Sequence, residues 1–332
     1  MAEIGILGAG LSGILLAQAI QKRGGRCFLS DVTMDNAASA MAPGIINPLA
    51  GRKYNLNPVL KTHYTSILDT FSELEEILSA TLWHELPLIR LIEKPEQRSY
   101  LRLNGTQWQG PVLPPSTYKG SFSDPHGSFT TLRAGWFDVP KLTALSHSSN
   151  AFTFVDAKEL QERAEIIVDC RGWRCSTDPR WQNLPWKCAR GEVAAIDFQG
   201  PGPARQIWNG GGWLQPLPDG SWRAGATYSW DNFEAPPEAS ALDQLAKKLR
   251  RWIDVPFELS KPQVGIRPIV QDFQPVLGAL PENAHYHIFS ALGSHGAIYG
   301  PPCADALAKH ILEKEPLPES WDVQRFDLNA QG

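Results

Sequence analysis

Six residues near the start of the chain constrain its fold more than any other feature. They read G-A-G-L-S-G over positions 8–13 and directly follow a short apolar run at positions 3–7. In this spacing Gly8 permits a tight turn, Gly10 lets the backbone approach a pyrophosphate, and Gly13 lets the next helix pack against its strand. The pattern predicts a strand, a turn and a helix whose free N–H groups, at Leu11 and Ser12, bind an anion.

The residues that follow supply the context that this motif needs. Apolar residues recur with helical spacing over positions 11–23, and two glycines at 24 and 25 end the helix. A second strand is predicted over positions 26–30, and Asp31 follows it, 18 residues after Gly13 (31 − 13). An acid at roughly 20 residues binds a ribose hydroxyl in such units. The combination predicts a dinucleotide-binding domain.

Composition and charge are those of an ordinary globular protein. The 332 residues are enough for two domains or for one large α/β domain with insertions, and the net charge of -4 does not favour nucleic acid. Five cysteines, an odd number at scattered positions, predict reduced thiols. No apolar run is long enough to span a membrane, and the acidic Glu3 argues against a signal peptide. We therefore expect a cytoplasmic protein.

The rest of the chain alternates between α/β and β-rich stretches. A long loop of small residues at 37–54 and a helix at about 58–80 precede an antiparallel β region that reaches residue 129. A buried strand ends in a glycine turn near residue 172, and a second β-rich block at 189–230 contains a hairpin at 218–221. A helix over 239–253 follows. The tail returns to α/β, with a last helix from about Pro302 to Glu313.

This order predicts an α/β fold of two interleaved domains. A Rossmann-like dinucleotide-binding domain takes residues 1–81, 135–185 and 262–332, and an antiparallel β-rich substrate domain takes 82–134 and 186–261. Ligands of such folds bind at the carboxyl edge of the parallel sheet. We therefore expect the substrate between that edge and the β-rich domain.

Short motifs along nearly the whole chain carry a family resemblance. They are, in chain order, the glycine motif and residues 38–44, 135–140, 168–173, 190–192, 225–227, 265–268, 275–278 and 292–296. In this order they resemble the FAD-dependent oxidases related to D-amino-acid oxidase, glycine oxidase and sarcosine oxidase, the DAO family. The resemblance implies FAD as the cofactor. On the glycine motif alone, a nicotinamide-dependent dehydrogenase is the alternative.

The resemblance also implies which residues contact FAD. Asp31 stands where the family has an acid on the adenosine ribose, and Ser39 matches a residue that contacts the diphosphate, although a helix cap is the ordinary role of such a serine. Gly172 and the turn at 293–296 match segments that close over the ribityl chain and the isoalloxazine. The expected cofactor-binding residues are Gly8, Gly10, Leu11, Ser12, Gly13, Asp31, Ser39, Gly44, Gly172, Gly293, Ser294, Gly296 and Ala297.

Four residues are candidates for the chemistry. Arg267 stands where several family members hold the substrate carboxylate with an arginine, whose guanidinium binds a carboxylate bidentately. Arg52 and Lys53 close a loop that passes near the flavin in relatives, where a cation stabilises reduced flavin. His295 lies in the turn expected to face the flavin. The alternatives are a salt bridge for Arg267, solvated surface charges for Arg52 and Lys53, and no role for His295.

The resemblance implies oxidation of the C–N bond of an amino acid or secondary amine by hydride transfer to flavin N5, with oxygen or another acceptor reoxidising the flavin. One alternative is a tRNA-modification oxidase acting on a carboxymethylaminomethyl group, which the turn at 292–296 favours and the net charge opposes. Another is a flavin-binding protein without oxidase activity. We expect a small amine or amino-acid substrate, no membrane span and no nucleic-acid partner.

Overall fold

A computed structural model describes residues 2–31, 36–102, 106–237 and 239–327. The predicted ends of the dinucleotide-binding domain, residue 1 and residues 328–332, lie outside this range. The α-helices are α1 (Leu11–Lys22), α2 (Ala38–Met41), α3 (Pro58–Leu78), α4 (Val139–Ser148), α5 (Ala157–Arg163), α6 (Ala239–Leu249) and α7 (Gly296–Glu313).

The β-strands are short and spread along the whole chain. In chain order they are β1 (Glu3–Leu7), β2 (Arg26–Ser30), β3 (Ile45–Ile46), β4 (Leu49–Ala50), β5 (Asn55–Leu56), β6 (Trp83–Glu85), β7 (Leu88–Leu91), β8 (Gln109–Leu113), β9 (Ser128–Thr131), β10 (Gly135–Phe137), β11 (Ile166–Asp169), β12 (Ala189–Phe198), β13 (Ile207–Asn209), β14 (Trp213–Pro216), β15 (Trp222–Gly225), β16 (Phe257–Arg267), β17 (Val276–Leu280) and β18 (Asn283–Ser290).

The first strands belong to a five-stranded sheet with the order β17-β18-β11-β1-β2. The pairs β2–β1, β1–β11 and β11–β18 are parallel, and β17 adds an antiparallel edge. Ile4, Ile6 and Val168 are fully buried, as expected of strands covered on both faces. The carboxyl ends of β1, β2 and β11 meet at one edge, where the predicted glycine turn and Asp31 follow. The predicted α/β fold is confirmed.

Helix α1 forms as its sequence predicts. Its apolar side chains Ile14, Leu15 and Ile20 are fully buried, and the helix ends one residue before the predicted boundary. The N–H groups of Gly24 and Gly25 bond back to the last carbonyls of the helix. A glycine after the end of a helix is expected to satisfy the free carbonyl groups in this way.

The prediction that the last helix begins at Pro302 is wrong. Helix α7 begins six residues earlier, at Gly296, and it carries Pro301 and Pro302 in its interior. Proline is common at the first position of a helix, which is why the sequence favoured Pro302. A Cβ on Gly296 would approach Leu11 to 2.9 Å, and one on Gly300 would approach Leu15 to 2.6 Å. The first turns of α7 therefore pack closely against α1, at positions where the sequence has glycine.

The β-rich region forms an eight-stranded sheet with the order β16-β12-β15-β14-β13-β7-β9-β8. Its pairs are antiparallel except for β13 and β7, and β14 and β15 form the predicted hairpin. Because side chains alternate along a strand, the sheet has two distinct faces. One packs on α6 through Trp208, Leu214 and Ala224, and the other carries Gly191, Val193 and Trp213.

The long loop that was predicted for residues 37–54 contains α2, β3 and β4. Three long side chains of the eight-stranded sheet hold it in place. Gln215 donates to the Pro43 carbonyl, Arg223 to the Met41 carbonyl, and Arg90 to the carbonyls of Leu49 and Gly51. The loop thus lies between the two sheets. None of the helices in the described ranges is long and apolar enough to cross a membrane.

Candidate cofactor and substrate site

A cavity of about 480 Å³ lies between the carboxyl edge of the parallel sheet and the inner face of the eight-stranded sheet. Its volume lies in the range of small-molecule and cofactor sites. Gly13 lies behind the cavity wall, packed on Gly8. The predicted cofactor residues in the wall are Gly8, Gly10, Leu11, Ser12, Asp31, Ser39, Gly44, Gly172, Gly293, Ser294, Gly296 and Ala297.

The glycine turn at one end of the cavity has no room for side chains. Gly8 has a φ of +98°, and a Cβ there would lie 2.9 Å from the carbonyl of Cys170. A Cβ on Gly13 would lie 2.0 Å from the Gly8 oxygen. The first backbone N–H of α1, on Leu11, donates to the Ser39 hydroxyl at 3.0 Å. Ser39 therefore lies at the start of α1, the place where a helix binds an anion.

Asp31 lies at the end of β2 and contacts a residue that the sequence did not single out. Its Oδ2 atom is 2.7 Å from Nε2 of His147, on α4. The other ring nitrogen, Nδ1, is 2.8 Å from the Thr143 carbonyl. Both ring nitrogens of His147 thus face oxygen atoms of neighbouring groups. Helix α4 is thereby joined to the acid that was expected to bind ribose.

A buried ion network supports the wall at Gly172. Asp169, at the end of β11, accepts hydrogen bonds from the Arg171 side chain, and Arg171 also donates to Asp178. Hydrogen bonds from Arg180 and then Arg171 lower the pKa of Asp178. Gly172 itself has a φ of +61° and open space where a Cβ would be. The network holds this turn beside the cavity.

The N-terminus of α7 forms the opposite part of the wall. Gly293 has a φ of +56°, and its N–H donates to the Pro268 carbonyl at 2.9 Å. His295 precedes the helix and is accessible from the cavity. The cavity is itself recessed in the protein, and this burial lowers the pKa of the imidazole below its ordinary value. A neutral imidazole at this position can accept a hydrogen bond or a proton.

Arg267 ends β16, and its guanidinium lies in the cavity wall. The guanidinium nitrogens occupy the space above Gly191, so that a Cβ on Gly191 would lie 2.3 Å from Nη2 of Arg267. The central carbon of the guanidinium is 5.1 Å from the centroid of the Tyr228 ring. The Nη1 atom is buried and has no hydrogen-bond partner among the described residues. Burial lowers the pKa of Arg267, whereas Tyr228 and Glu192 raise it. The salt bridge that was the alternative role for Arg267 is not formed within the described ranges.

Arg52 and Lys53 do not meet Arg267 and His295. Both lie on an exposed turn between β4 and β5, and neither belongs to the cavity wall. The backbone carbonyl of Arg52 accepts a hydrogen bond from Gln97. Their placement is that of solvated surface charges, and a role beside the flavin stays a prediction without support from their position.

Several wall residues escaped the sequence analysis. Val139, Thr143 and His147 line the cavity from α4, and their spacing of four residues is the signal that one helix face points inward. Asn209 lines it from β13. The only local sign of Asn209 is the run of three glycines that follows it, which lets other groups approach closely.

Comparisons with known proteins agree with this geometry. The family model described as "DAO: FAD dependent oxidoreductase" matches residues 3–310. Among curated proteins, the tRNA 5-methylaminomethyl-2-thiouridine biosynthesis bifunctional protein MnmC of Marinobacter nauticus is 25% identical, over 93% of this chain and 55% of that protein. The chain thus spans little more than half the length of the curated relatives that it matches.

Solved structures of oxidases share the fold over almost the full chain. Glycine oxidase from Geobacillus kaustophilus superimposes with a TM-score of 0.76 at 16% identity, covering 100% of both chains. Iminodiacetate oxidase from Chelativorans sp. BNC1 gives a TM-score of 0.73 at 17% identity, covering 96% of this chain and 98% of that one. At these identities the likeness establishes the fold.

Proposed function

The chain belongs to the DAO family of FAD-dependent oxidoreductases, and from that premise we propose that it oxidises the C–N bond of a small amine or amino acid that carries a carboxylate. One observation carries the proposal. Arg267 brings a half-buried guanidinium to the cavity wall, near the N-terminus of α7, and its buried Nη1 atom has no hydrogen-bond partner in the part of the chain that the structure describes. A buried cation without a partner is costly, and a carboxylate is the bidentate ligand that suits it.

The residues of the wall fit FAD. The glycine cradle at the start of α1 would be filled by any Cβ on Gly8 or Gly13, and it leaves helix N–H groups for a diphosphate. Asp31 lies at the end of β2, where a ribose hydroxyl is expected. Gly172 and the N-terminus of α7 remain for the flavin end.

FAD, when bound, supplies the acceptor for the hydride that leaves the substrate carbon. Arg267 binds the carboxylate and so fixes the orientation of that carbon, which is the main contribution that positioning makes to such a reaction. His295 lines the cavity and accepts a proton from the substrate ammonium, and the lowered pKa of its imidazole favours the neutral form that can do so. Leu88, Ile207 and Trp213 make the remaining wall apolar and exclude water.

Oxygen uptake and dye reduction over a panel of amino acids and secondary amines test this function. We expect Arg267→Met to raise the KM for carboxylate substrates by roughly 30-fold or more, the loss expected when one partner of a buried charge pair is removed. Bound FAD should be unchanged, and Arg267→Lys should be intermediate. The exposed Arg205→Met is the control. Equal turnover by Arg267→Met and the wild type would contradict the assignment.

The visible spectrum before and after acid precipitation tests how FAD is held. Cys303 is fully buried in the core and does not reach the cavity wall, and burial raises the pKa of its thiol far above the ordinary value. We therefore expect the yellow colour to leave with the supernatant, as for a non-covalent flavin. Colour in the pellet would make His295 the tether to test.

A second candidate is oxidation of a carboxymethylaminomethyl group on tRNA. The resemblance to the bifunctional tRNA-modifying protein of Marinobacter nauticus favours it. Such a group is itself a secondary amine with a carboxylate, so Arg267 would bind it in the same way. A gel shift of unmodified and modified tRNA at low salt distinguishes the candidates, because the net charge of -4 predicts no shift.

A further inference from the structure

Two side chains that line the cavity lie over glycines on the inner face of the eight-stranded sheet. The Arg267 guanidinium lies over Gly191 on β12. The Trp213 indole, from β14, lies over Gly225 on β15, where a Cβ would be 2.3 Å from Cζ2 of the ring and 2.7 Å from Cε2. Glycine in a strand permits such a close approach. A guanidinium and an indole thus form part of the cavity wall that belongs to the sheet.

The register of the strands places these two groups close together. Gly225 pairs with Trp213 on one side and with Val193 on the other, and Val193 is two residues after Gly191 on β12. Residues two apart along a strand point to the same face, and diagonal neighbours on two paired strands are about 7–8 Å apart. Gly191 and Gly225 are such neighbours. The guanidinium and the indole that cover them are therefore within reach of one small ligand.

The contacts of the indole fix its position in the wall. Its close contact with Gly225 leaves the ring no room to move towards the sheet. On its other side, Trp213 pairs with Asn209 of β13, which also lines the cavity. Extra volume in a filled site forces side chains out of their preferred rotamers and costs free energy. A bulky group that enters beside Arg267 therefore meets a ring that cannot retreat towards the sheet.

We propose that Trp213 limits the size of the group on the reacting carbon of the substrate. A carboxylate held by Arg267 brings the carbon that bears it next to the indole, and a substituent longer than a methyl group on that carbon overlaps with the ring. This inference rests on the proposed function and specifies its substrate class as amines of the glycine type, with hydrogen or methyl on the reacting carbon. Trp213 is accordingly a specificity residue.

Binding of non-reactive acids to the FAD-loaded protein tests this. Acetate and cyclopentanecarboxylate have the same charge and no amine to oxidise, but only the second has a bulky ring on the carbon that bears the carboxylate. Isothermal titration at constant ionic strength gives the Kd of each. We expect acetate to bind at least about ten-fold more tightly, the discrimination that excess carbon atoms cause in a close-fitting pocket. Turnover of glycine against both enantiomers of 2-aminobutyrate should show the same preference in kcat/KM.

Variants assign the size limit to the indole. Trp213→Ala should bind cyclopentanecarboxylate at least about ten-fold more tightly than the wild type does, while the Kd of acetate stays within about two-fold. Trp213→Phe should gain about three-fold, and it decides the matter if Trp213→Ala fails to retain FAD. Trp222→Phe is the matched control, because Trp222 lies on the same hairpin but packs with α6 on the outer face of the sheet. It should leave both Kd values unchanged.

The outcomes separate this inference from the proposed function. Equal Kd values for the two acids in the wild type, or a preference for acetate that is unchanged in the Trp213 variants, would overturn the role of Trp213 while leaving the carboxylate site intact. Acetate binding that survives Arg267→Met would instead remove the basis of the proposed function. If acetate does not bind the wild type, both proposals fail.

Discussion

The carboxylate of Asp31 lies 2.7 Å from Nε2 of His147, so the acid at the end of β2 is held by a side chain 116 residues later. The contact lies at the ribose end of the expected FAD position and ties α4 to the dinucleotide-binding sheet. The other oxygen, Oδ1, can accept a hydrogen bond from a ribose hydroxyl. His147 orients the acid.

Asp31→Ala should weaken FAD binding by about ten-fold or more, because the charged hydrogen bond to the ribose is lost. Asp31→Glu should restore affinity to within a few-fold, since the longer carboxylate keeps the same chemistry. His147→Ala should have the smaller effect of a lost orienting contact. Fluorescence titration of the apoprotein with FAD measures all three, and an unchanged Kd for Asp31→Ala would exclude the ribose role.

Gly13→Ala should prevent folding or destabilise the protein by more than about 4 kcal/mol, because the new Cβ would lie 2.0 Å from the Gly8 backbone oxygen. Gly24→Ala is the control. It has a φ of +73° but open space around a Cβ, so only the backbone strain of about 1–2 kcal/mol applies. Urea unfolding measures the free energy of unfolding of both variants. Equal destabilisation by Gly13→Ala and Gly24→Ala would show that the backbone around Gly13 shifts to accommodate the new Cβ.

Stability should fall as the pH drops from 6.5 towards 4. Burial, followed by the charges of His310, Lys314 and His285, lowers the pKa of His287 to about 4. The fold therefore favours neutral His287, whereas the unfolded chain takes up the proton near pH 6.5. The contribution of neutral His287 to the free energy of unfolding is complete above pH 6.5, and we expect it to fall by about 2 kcal/mol at pH 5.

Urea unfolding at pH 7.5 and pH 5 measures this loss in the wild type and in His287→Leu. The leucine variant should lose about 2 kcal/mol less than the wild type over this interval, because its buried side chain cannot take up a proton. His63→Leu serves as the control on a partly exposed histidine. A pH dependence in His287→Leu equal to that of the wild type would refute the prediction.

Arg190→Met should cost about 3–5 kcal/mol, because it leaves Glu192 as a buried charge without its cationic partner. It should also loosen residues 229–236, since the guanidinium donates to the carbonyls of Asn232, Ala235 and Pro236. Hydrogen exchange should accelerate in this loop. Adding Glu192→Met should recover part of the stability but not the protection of the loop, and full recovery of both would show that the carbonyl contacts contribute nothing.

The parts of the fold that depend on local geometry were predictable. The unit β1-α1-β2 follows its sequence almost residue for residue, because its glycines allow a tight turn and a close approach that other residues exclude, and its apolar residues have helical spacing. The hairpin between β14 and β15 has its turn at Pro218-Asp219-Gly220-Ser221 for the same reason. Helix α7 was misjudged because its start depends on a packing contact with α1 that no local rule contains. The spacing of Gly296 and Gly300 on one face was the available signal.

The same distinction between local features and long-range contacts applies to the candidate site. The wall residues that are expected to bind FAD lie on turns and helix starts, which are local features, and sequence motifs predicted them. The substrate side of the site depends on the parallel pairing of β13 with β7, which brings Ile207 next to Leu88. No short pattern connects residues so far apart.

The cavity wall begins at Gly8 and ends at Ala297, and this has a consequence for how the protein matures. A ribosome that has made the glycine turn must still make α7 before the cavity wall is complete. The nascent chain therefore offers FAD only half of a pocket for most of its synthesis. A complete cavity therefore requires residues from both ends of the chain, and binding of FAD to the full wall comes late in synthesis.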